Sequence, residues 1–228
     1  MKAKNIMTTE IFTVTPEATV RDIATLLVEK GISAVAVLEH GKLVGVVSEG
    51  DLLHRRELGT ERHRTRFSWL KLVEDKKHLI AFRAKETGTQ ARDIMTRNVI
   101  VITEEATLGE IADTLETNNI KRLFVMRDDK LVGVISRANI VRALASRPEG
   151  AQEPTSQDDD EIRFKVIETL EAMKGASPWL TTVIVSDGTV YLYGTVEDES
   201  VRDPSRSAIK EIPYVVEVQD HRAVLQPY

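Results

Sequence analysis

The sequence contains no cysteine, which excludes disulfides, thiolate metal sites and redox chemistry through thiols. No segment approaches the run of about 18 apolar residues that a membrane helix requires. The first residues, MKAKNIMTTEIFTVTPEATVRD, lack the apolar centre of a secretory signal, so a cytoplasmic protein is expected. Neither a G-x-x-x-x-G-K-[ST] phosphate loop nor an H-E-x-x-H helix occurs, and the five histidines are scattered. An enzyme is therefore the least supported class, and neither a metal nor a catalytic cofactor is expected.

What is present is a chain able to build a core: 42% of its 228 residues are apolar and 29% charged, far from the composition of disordered chains. The net charge of −5 hides an asymmetry. Residues 1–150 carry 24 Lys and Arg against 21 Asp and Glu, whereas residues 151–228 carry 7 against 15. The stretch from Arg55 to Arg92 alone holds 11 basic and 5 acidic residues, so the positive excess is concentrated there.

An internal repeat organises the first two thirds. Residues 3–54 align without a gap onto 91–142, with roughly a third of positions identical, which chance does not give over such a window. Ile6-Met7-Thr8 falls on Ile94-Met95-Thr96, and Lys42-Leu-Val-Gly-Val-Val-Ser48 on Lys130-Leu-Val-Gly-Val-Ile-Ser136. Each copy reads as strand, helix, strand, strand, helix. Ile11 to Val14 is a short strand-forming run, and Thr19-x-x-Asp22 and Thr107-x-x-Glu110 are capping boxes that start a helix. Val20, Ile23, Leu26 and Leu27 give that helix one buried face; Gly31 and Asn119 stand where a left-handed residue would end it. A hairpin follows around Glu39-His40-Gly41, and Ser48 to Asp51 opens a second helix.

These residues resemble the paired CBS domain. The resemblance rests on [DN]-I-M-T at Asn5–Thr8 and Asp93–Thr96, and on G-h-h-S-x-x-[DN] at Gly45–Asp51 and Gly133–Asn139. It implies an α+β fold of two pseudo-twofold related β-α-β-β-α units forming a disc, over residues 1–58 and 91–147. It also implies an adenine nucleotide (AMP, ATP or an NAD-like molecule) held between the units as a regulatory ligand, and a homodimer through the CBS pair.

The chemistry such a ligand needs can be sought among the residues. A ribose offers two vicinal hydroxyls that one carboxylate can accept, and Asp51, at a helix start, is the candidate. Ser48, at the N-cap, sets a hydroxyl and free amides where phosphate would be favoured. The resemblance adds Lys121 and Arg122 as basic groups for the phosphate, and Arg137 is a third positive group nearby. It implies an adenine wall at Ile32, Ser33 and Ala34, and adds Thr13, Val14 and Val46 to the lining. In the second copy Ser136 is paired with Asn139, which keeps an acceptor but loses the charge, so one good site at Asp51 is expected. Ser48 with Asp51 is also an ordinary capping box, a commoner arrangement than a ribose site.

Residues 59–90 form a basic insert with helical apolar spacing from Arg66 to Ala84. Arg62, Arg64 and Arg66 beside Phe67 and Trp69 could meet nucleic acid. A helical arm with solvated or paired arginines is the favoured reading. Residues 148–158 are a linker by composition. Residues 159–228 then read as α-β-β-α-β: an acidic-first helix from Asp158–Asp160, a hairpin about Asp187-Gly188, a helix from Glu199 to Ile212 interrupted or kinked at Pro204, and a strand over Val215–Leu225. This part resembles the BON domain, whose core stands here as Asp187-Gly-Thr-Val-Tyr-Leu-Tyr-Gly-Thr-Val196. That family is linked with phospholipid surfaces, but the acidic balance of this segment would be repelled by anionic lipid, so a protein partner is expected.

Overall fold

The computed structural model describes residues 1–60, 85–146, 157–176, 181–196 and 198–224. The insert's helix at Arg66 to Ala84, its cluster Arg62, Arg64, Arg66, Phe67 and Trp69, and most of the linker lie outside the described residues. The chain forms two compact units, one of Phe12–Val99 and one of Met1–Ile11 with Ile100–Tyr228.

In the unit Phe12–Val99, the strands β1 (Thr13–Val14), β2 (Ala34–Glu39) and β3 (Lys42–Ser48) form a sheet with β1 parallel and β3 antiparallel to β2. The strand read at Ile11 to Val14 is thus formed at its last two residues. Helix α2 (Val20–Lys30) starts at the expected box, with the Asp22 amide donating to Thr19 Oγ1 at 3.1 Å. It ends at Gly31, whose φ of 60° needs no Cβ to clear. His40 and Gly41 both take positive φ, as a type I′ turn requires. Ile23 and Leu27 of α2 meet Val35, Val37 and Val47 of the sheet in one core. The second helix of this copy, α3 (Glu49–Leu52), is a single turn, followed by a 3₁₀ turn at Arg56–Leu58. Gly50 lies inside α3, where glycine weakens helix propagation.

The core also takes in Ala91 and Ile94 of α4 (Ala91–Ile94), a turn from the second repeat, and Met95 directly after it. The Thr96 and Val46 backbones exchange hydrogen bonds at 2.9 and 3.0 Å.

The other unit repeats this plan with β4 (Val101–Thr103), α5 (Leu108–Thr117), β5 (Arg122–Arg127), β6 (Lys130–Ser136) and a longer α6 (Arg137–Ala145). Leu123 pairs with Ile135 and Val125 with Gly133, the same register as Val35 with Val47 and Val37 with Gly45. Asn119 closes the α5 end at φ 49°. Here the exchanged segment is α1 (Ala3–Ile6): the Ala3 amide donates to Ala106 at 2.8 Å, and Thr8 and Val134 exchange backbone bonds. Each repeat therefore gives its amino-terminal turn to the body built from the other.

The C-terminal domain belongs to this same unit. It comprises α7 (Gln157–Ala172), β7 (Thr181–Ser186), β8 (Thr189–Val196), α8 (Glu199–Lys210) and β9 (Glu217–Val224), in the sheet order β7-β8-β9. Because side chains alternate along a strand, Val183, Val185, Val190 and Leu192 face the helices and meet Ile162, Val166, Leu170 and Ile209. Ile184 and Tyr191, on the opposite face, enter the cluster formed by Ala3, Ile6 and Met7. Arg163 of α7 reaches across, donating from Nη2 to the Met7 carbonyl at 2.6 Å and from Nε to that of Val183 at 3.0 Å. Burial pushes its guanidinium down to about 10.

The hairpin turn at Asp187-Gly188 has positive φ at both residues. Asp159 accepts from both of its amides, at 3.1 and 2.9 Å. Helix α8 is continuous through Pro204 rather than interrupted there. Pro204 removes one amide donor only, and Asp198 caps the helix by accepting from the Ser200 amide at 2.7 Å. Tyr214 adopts a left-handed φ of 69° in the turn that leads into β9.

Candidate functional site

The first-copy candidates gather at one end of the sheet β1-β2-β3. The register sets Thr13, Ala36 and Val46 in one row and Ala34 opposite Ser48. The Glu49 amide donates to the Ser33 carbonyl at 3.1 Å, tying the start of β2 to the start of α3. Alternation leaves Ala34, Val46 and Ser48 on the face away from the core of that unit, with Thr13 exposed at the sheet edge. Val14 and Ile32 instead pack against the core cluster, so their side chains are held by Ile23, Val35 and their neighbours.

Asp51 is the polar centre of this group. Its Oδ2 accepts from the Ser48 amide and the Ser48 hydroxyl, both at 2.8 Å, which makes the box that the spacing predicts. Its Oδ1 accepts from the Lys85 ammonium, and the same Nζ reaches Thr96 Oγ1 at 3.1 Å. The Asp51 side chain retains 12% exposure. Lys85 escapes sequence reasoning because it lies in the insert, outside the repeat and its motifs. Its backbone is held by Arg55, whose Nη1 donates to the Lys85 carbonyl and Nη2 to that of Gly88, each at 2.8 Å. Arg55 is itself 4% exposed and bonded to Glu57 at 2.7 Å. It reads as one charge in a basic run, and its fork geometry matches two carbonyls in a way that no run of charge discloses.

The second-copy candidates gather in the other unit. Ser136 donates from its amide and hydroxyl to Asn139 Oδ1, at 2.9 and 2.7 Å. Asn139 then uses the donor that an aspartate lacks: Nδ2 bonds the Ile6 carbonyl of α1 at 2.8 Å. The residue is 4% exposed. Arg122 pairs across the sheet with Ser136, while Lys121 and Arg137 are exposed on either side of that row. The same motif position therefore carries a carboxylate that keeps some exposure in one copy and a buried structural amide in the other.

The CBS domain family model matches residues 3–57 and 91–146, and the BON domain model matches 158–226. The chain is a tandem CBS pair with a C-terminal BON domain. An uncharacterised protein of Methanocaldococcus jannaschii is 31% identical over 140 residues, which are 54% of this chain and 79% of that protein. The chloroplastic CBS domain-containing protein CBSX1 of Arabidopsis thaliana is 33% identical over 139 residues, and the match spans 59% of each chain. Among solved structures, that of CBSX2 in complex with AMP superposes with a TM-score of 0.54 at 30% identity, covering 63% of this chain and 96% of that one. The CBS pair accounts for these similarities. No helix among the described residues is long and apolar enough to cross a membrane.

Proposed function

We propose that this protein is a regulatory module whose CBS pair binds an adenine nucleotide and whose BON domain carries the response to a protein partner. The observation that carries the reading is the contrast between the two motif positions. Asn139 is consumed by the fold, whereas Asp51 keeps a partly exposed carboxylate at a helix start, where a ribose diol can be accepted. Ser48, Ser33, Ala34, Val46 and Thr13 are proposed to line the nucleoside end. In the second copy, taken by itself, Lys121, Arg122 and Arg137, with Ser136, are the basic and hydroxyl groups proposed to attract phosphate. The AMP complex of CBSX2 supports the class of ligand. A homodimer through the CBS pair belongs to the same reading, supported by Val141 and Leu144, apolar residues of α6 that are 65% and 75% exposed.

A ligand-free scaffold is the second reading, favoured by one observation: both Asp51 oxygens already have protein partners. Calorimetric titration of the full chain with AMP, ATP, NAD and adenosine separates the two. Saturable heat with at least one adenine nucleotide is expected, and silence with all four would leave the scaffold.

A further inference from the structure

Lys85 occupies an atom that a ribose would need. The two bonds on Asp51 Oδ2 come from Ser48, three residues away, and are part of the helix start itself. The partner of Oδ1 comes from 34 residues away and belongs to no element of the CBS repeat. We propose that Lys85 is an internal competitor for the ribose carboxylate and thereby a specificity determinant of the site; the inference rests on the nucleotide reading of Asp51 given above.

Three features support competition over a permanent tether. First, the position of Lys85 is fixed by its backbone: the buried Arg55 fork holds the carbonyls of residues 85 and 88. The ammonium can therefore leave Asp51 while the chain that delivers it stays in place. Second, a resting place already exists, because Nζ is shared with Thr96 Oγ1, an exposed hydroxyl held by the Val46 backbone bonds. Third, the pair is only partly buried, with 30% exposure at Lys85 and 12% at Asp51. Its rupture exposes both charges to water instead of stranding them in a core. At the second copy the Asn139 amide instead closes its own network on Ile6.

Competition has a consequence for ligand choice. A neutral nucleoside must detach the ammonium from Asp51 and offers it nothing in return. A nucleotide also detaches it, but brings an anionic group with which the released cation can pair. Lys85 would thus select phosphorylated ribosides over free nucleosides, by penalising the nucleoside more than by favouring the phosphate.

The test is calorimetry on the full chain and its Lys85→Met variant, with adenosine and AMP. Methionine keeps the length of the stem and removes the charge. Removing the competitor is expected to tighten adenosine binding by about tenfold, the equivalent of one charge-assisted hydrogen bond, and to change AMP less. The wild-type chain supplies a second reading that needs no variant. Because adenosine is uncharged, its affinity should rise between about 50 and 500 mM NaCl as salt screens the Lys85–Asp51 pair. In Lys85→Met that rise should vanish. If the wild type binds both ligands and Lys85→Met binds adenosine no more tightly, the competitor role is overturned and the nucleotide reading stands. If neither protein binds either ligand, the nucleotide reading is overturned and this inference falls with it.

Discussion

Met95 lies over Gly45 so closely that a β-carbon on the glycine would stand 2.8 Å from the methionine Cγ and 3.0 Å from its Cβ. Met7 covers Gly133 in the same way in the other unit. These two contacts seat the exchanged turns α4 and α1 on strands β3 and β6. Gly45→Ala should therefore destabilise the protein by about 1 to 3 kcal/mol, the usual cost of overpacking. The clash reaches the root of the methionine side chain, so rotation of its tip cannot relieve it. Met95→Ala should restore much of the loss in the double variant. Urea midpoints for the single and double variants measure this, and strictly additive losses would sink the idea that the glycine is kept for the methionine.

The BON domain should be coupled to the amino-terminal turn. Ile184 and Tyr191 share a cluster with Ala3, Ile6 and Met7, and Arg163 bonds the Met7 carbonyl. Ile184→Ala removes a fully buried side chain, and a cost of about 2 to 4 kcal/mol is expected. Amide exchange tells where the loss falls. Protection should drop at Met7, whose amide donates to Ala3, as well as in β7 and β8. A loss confined to the BON strands would mean that the two parts merely touch.

Local signals in the sequence carried most of the elements because they act over a few residues. Capping at Thr19 and Thr107, the left-handed stops at Gly31 and Asn119, and the turn at Asp187-Gly188 each depend on neighbours within four positions. The exchange of α1 and α4 was not legible, since the two copies are alike and a gapless alignment cannot say which body a turn joins. Asp159 read as one acid of an N-terminal run that suits the helix dipole. Its bonds to the Asp187 and Gly188 amides, 28 and 29 residues away, follow from the fold alone. Asp51 was legible through its motif and Lys85 was not, because a lysine in a basic insert carries no mark of its partner.

Arg222, fully buried on β9, is held by Asp220 through Nε at 2.9 Å and Nη2 at 2.5 Å, and by Ser205 at 2.7 Å. Burial alone would raise the Asp220 carboxyl, but the hydrogen bonds and charge of Arg222 outweigh it and hold the group below its ordinary value of 3.8. A carboxylate depressed on folding contributes stability that is complete above its unfolded value and lost as pH falls through the lower folded value. Asp220→Asn should cost on the order of 3 to 5 kcal/mol at neutral pH, because it strands a buried cation. The difference from wild type should persist to pH 4 and shrink only below 3.8. Denaturation midpoints across that range check the sign. A gap that closes well above pH 4 would show that another group carries the pair.

Asp51 and Asn139 occupy one motif position, and their alanine variants should fail in opposite ways. Asp51→Ala removes a carboxylate whose local bonds are those of a helix cap, so a stability loss of about 1 kcal/mol is expected. Its effect on AMP should be far larger: two ribose hydroxyls lose charge-assisted acceptors at about 1.5 to 3 kcal/mol each, enough to abolish measurable heat. Asn139→Ala leaves the Ile6 carbonyl and the Ser136 donors without their buried partner. A stability loss of about 1 to 3 kcal/mol follows. AMP affinity at a temperature where the variant is folded should stay within a few-fold of wild type, since Asn139 is 4% exposed and its amide is spent on α1. The two measurements, an AMP titration and a denaturation midpoint for each variant, form a crossed pair in which a general loss of structure cannot imitate both results. Equal losses of AMP affinity in the two variants would contradict a single ribose site at Asp51, because the buried amide would then have to reach ligand as readily as the partly exposed carboxylate.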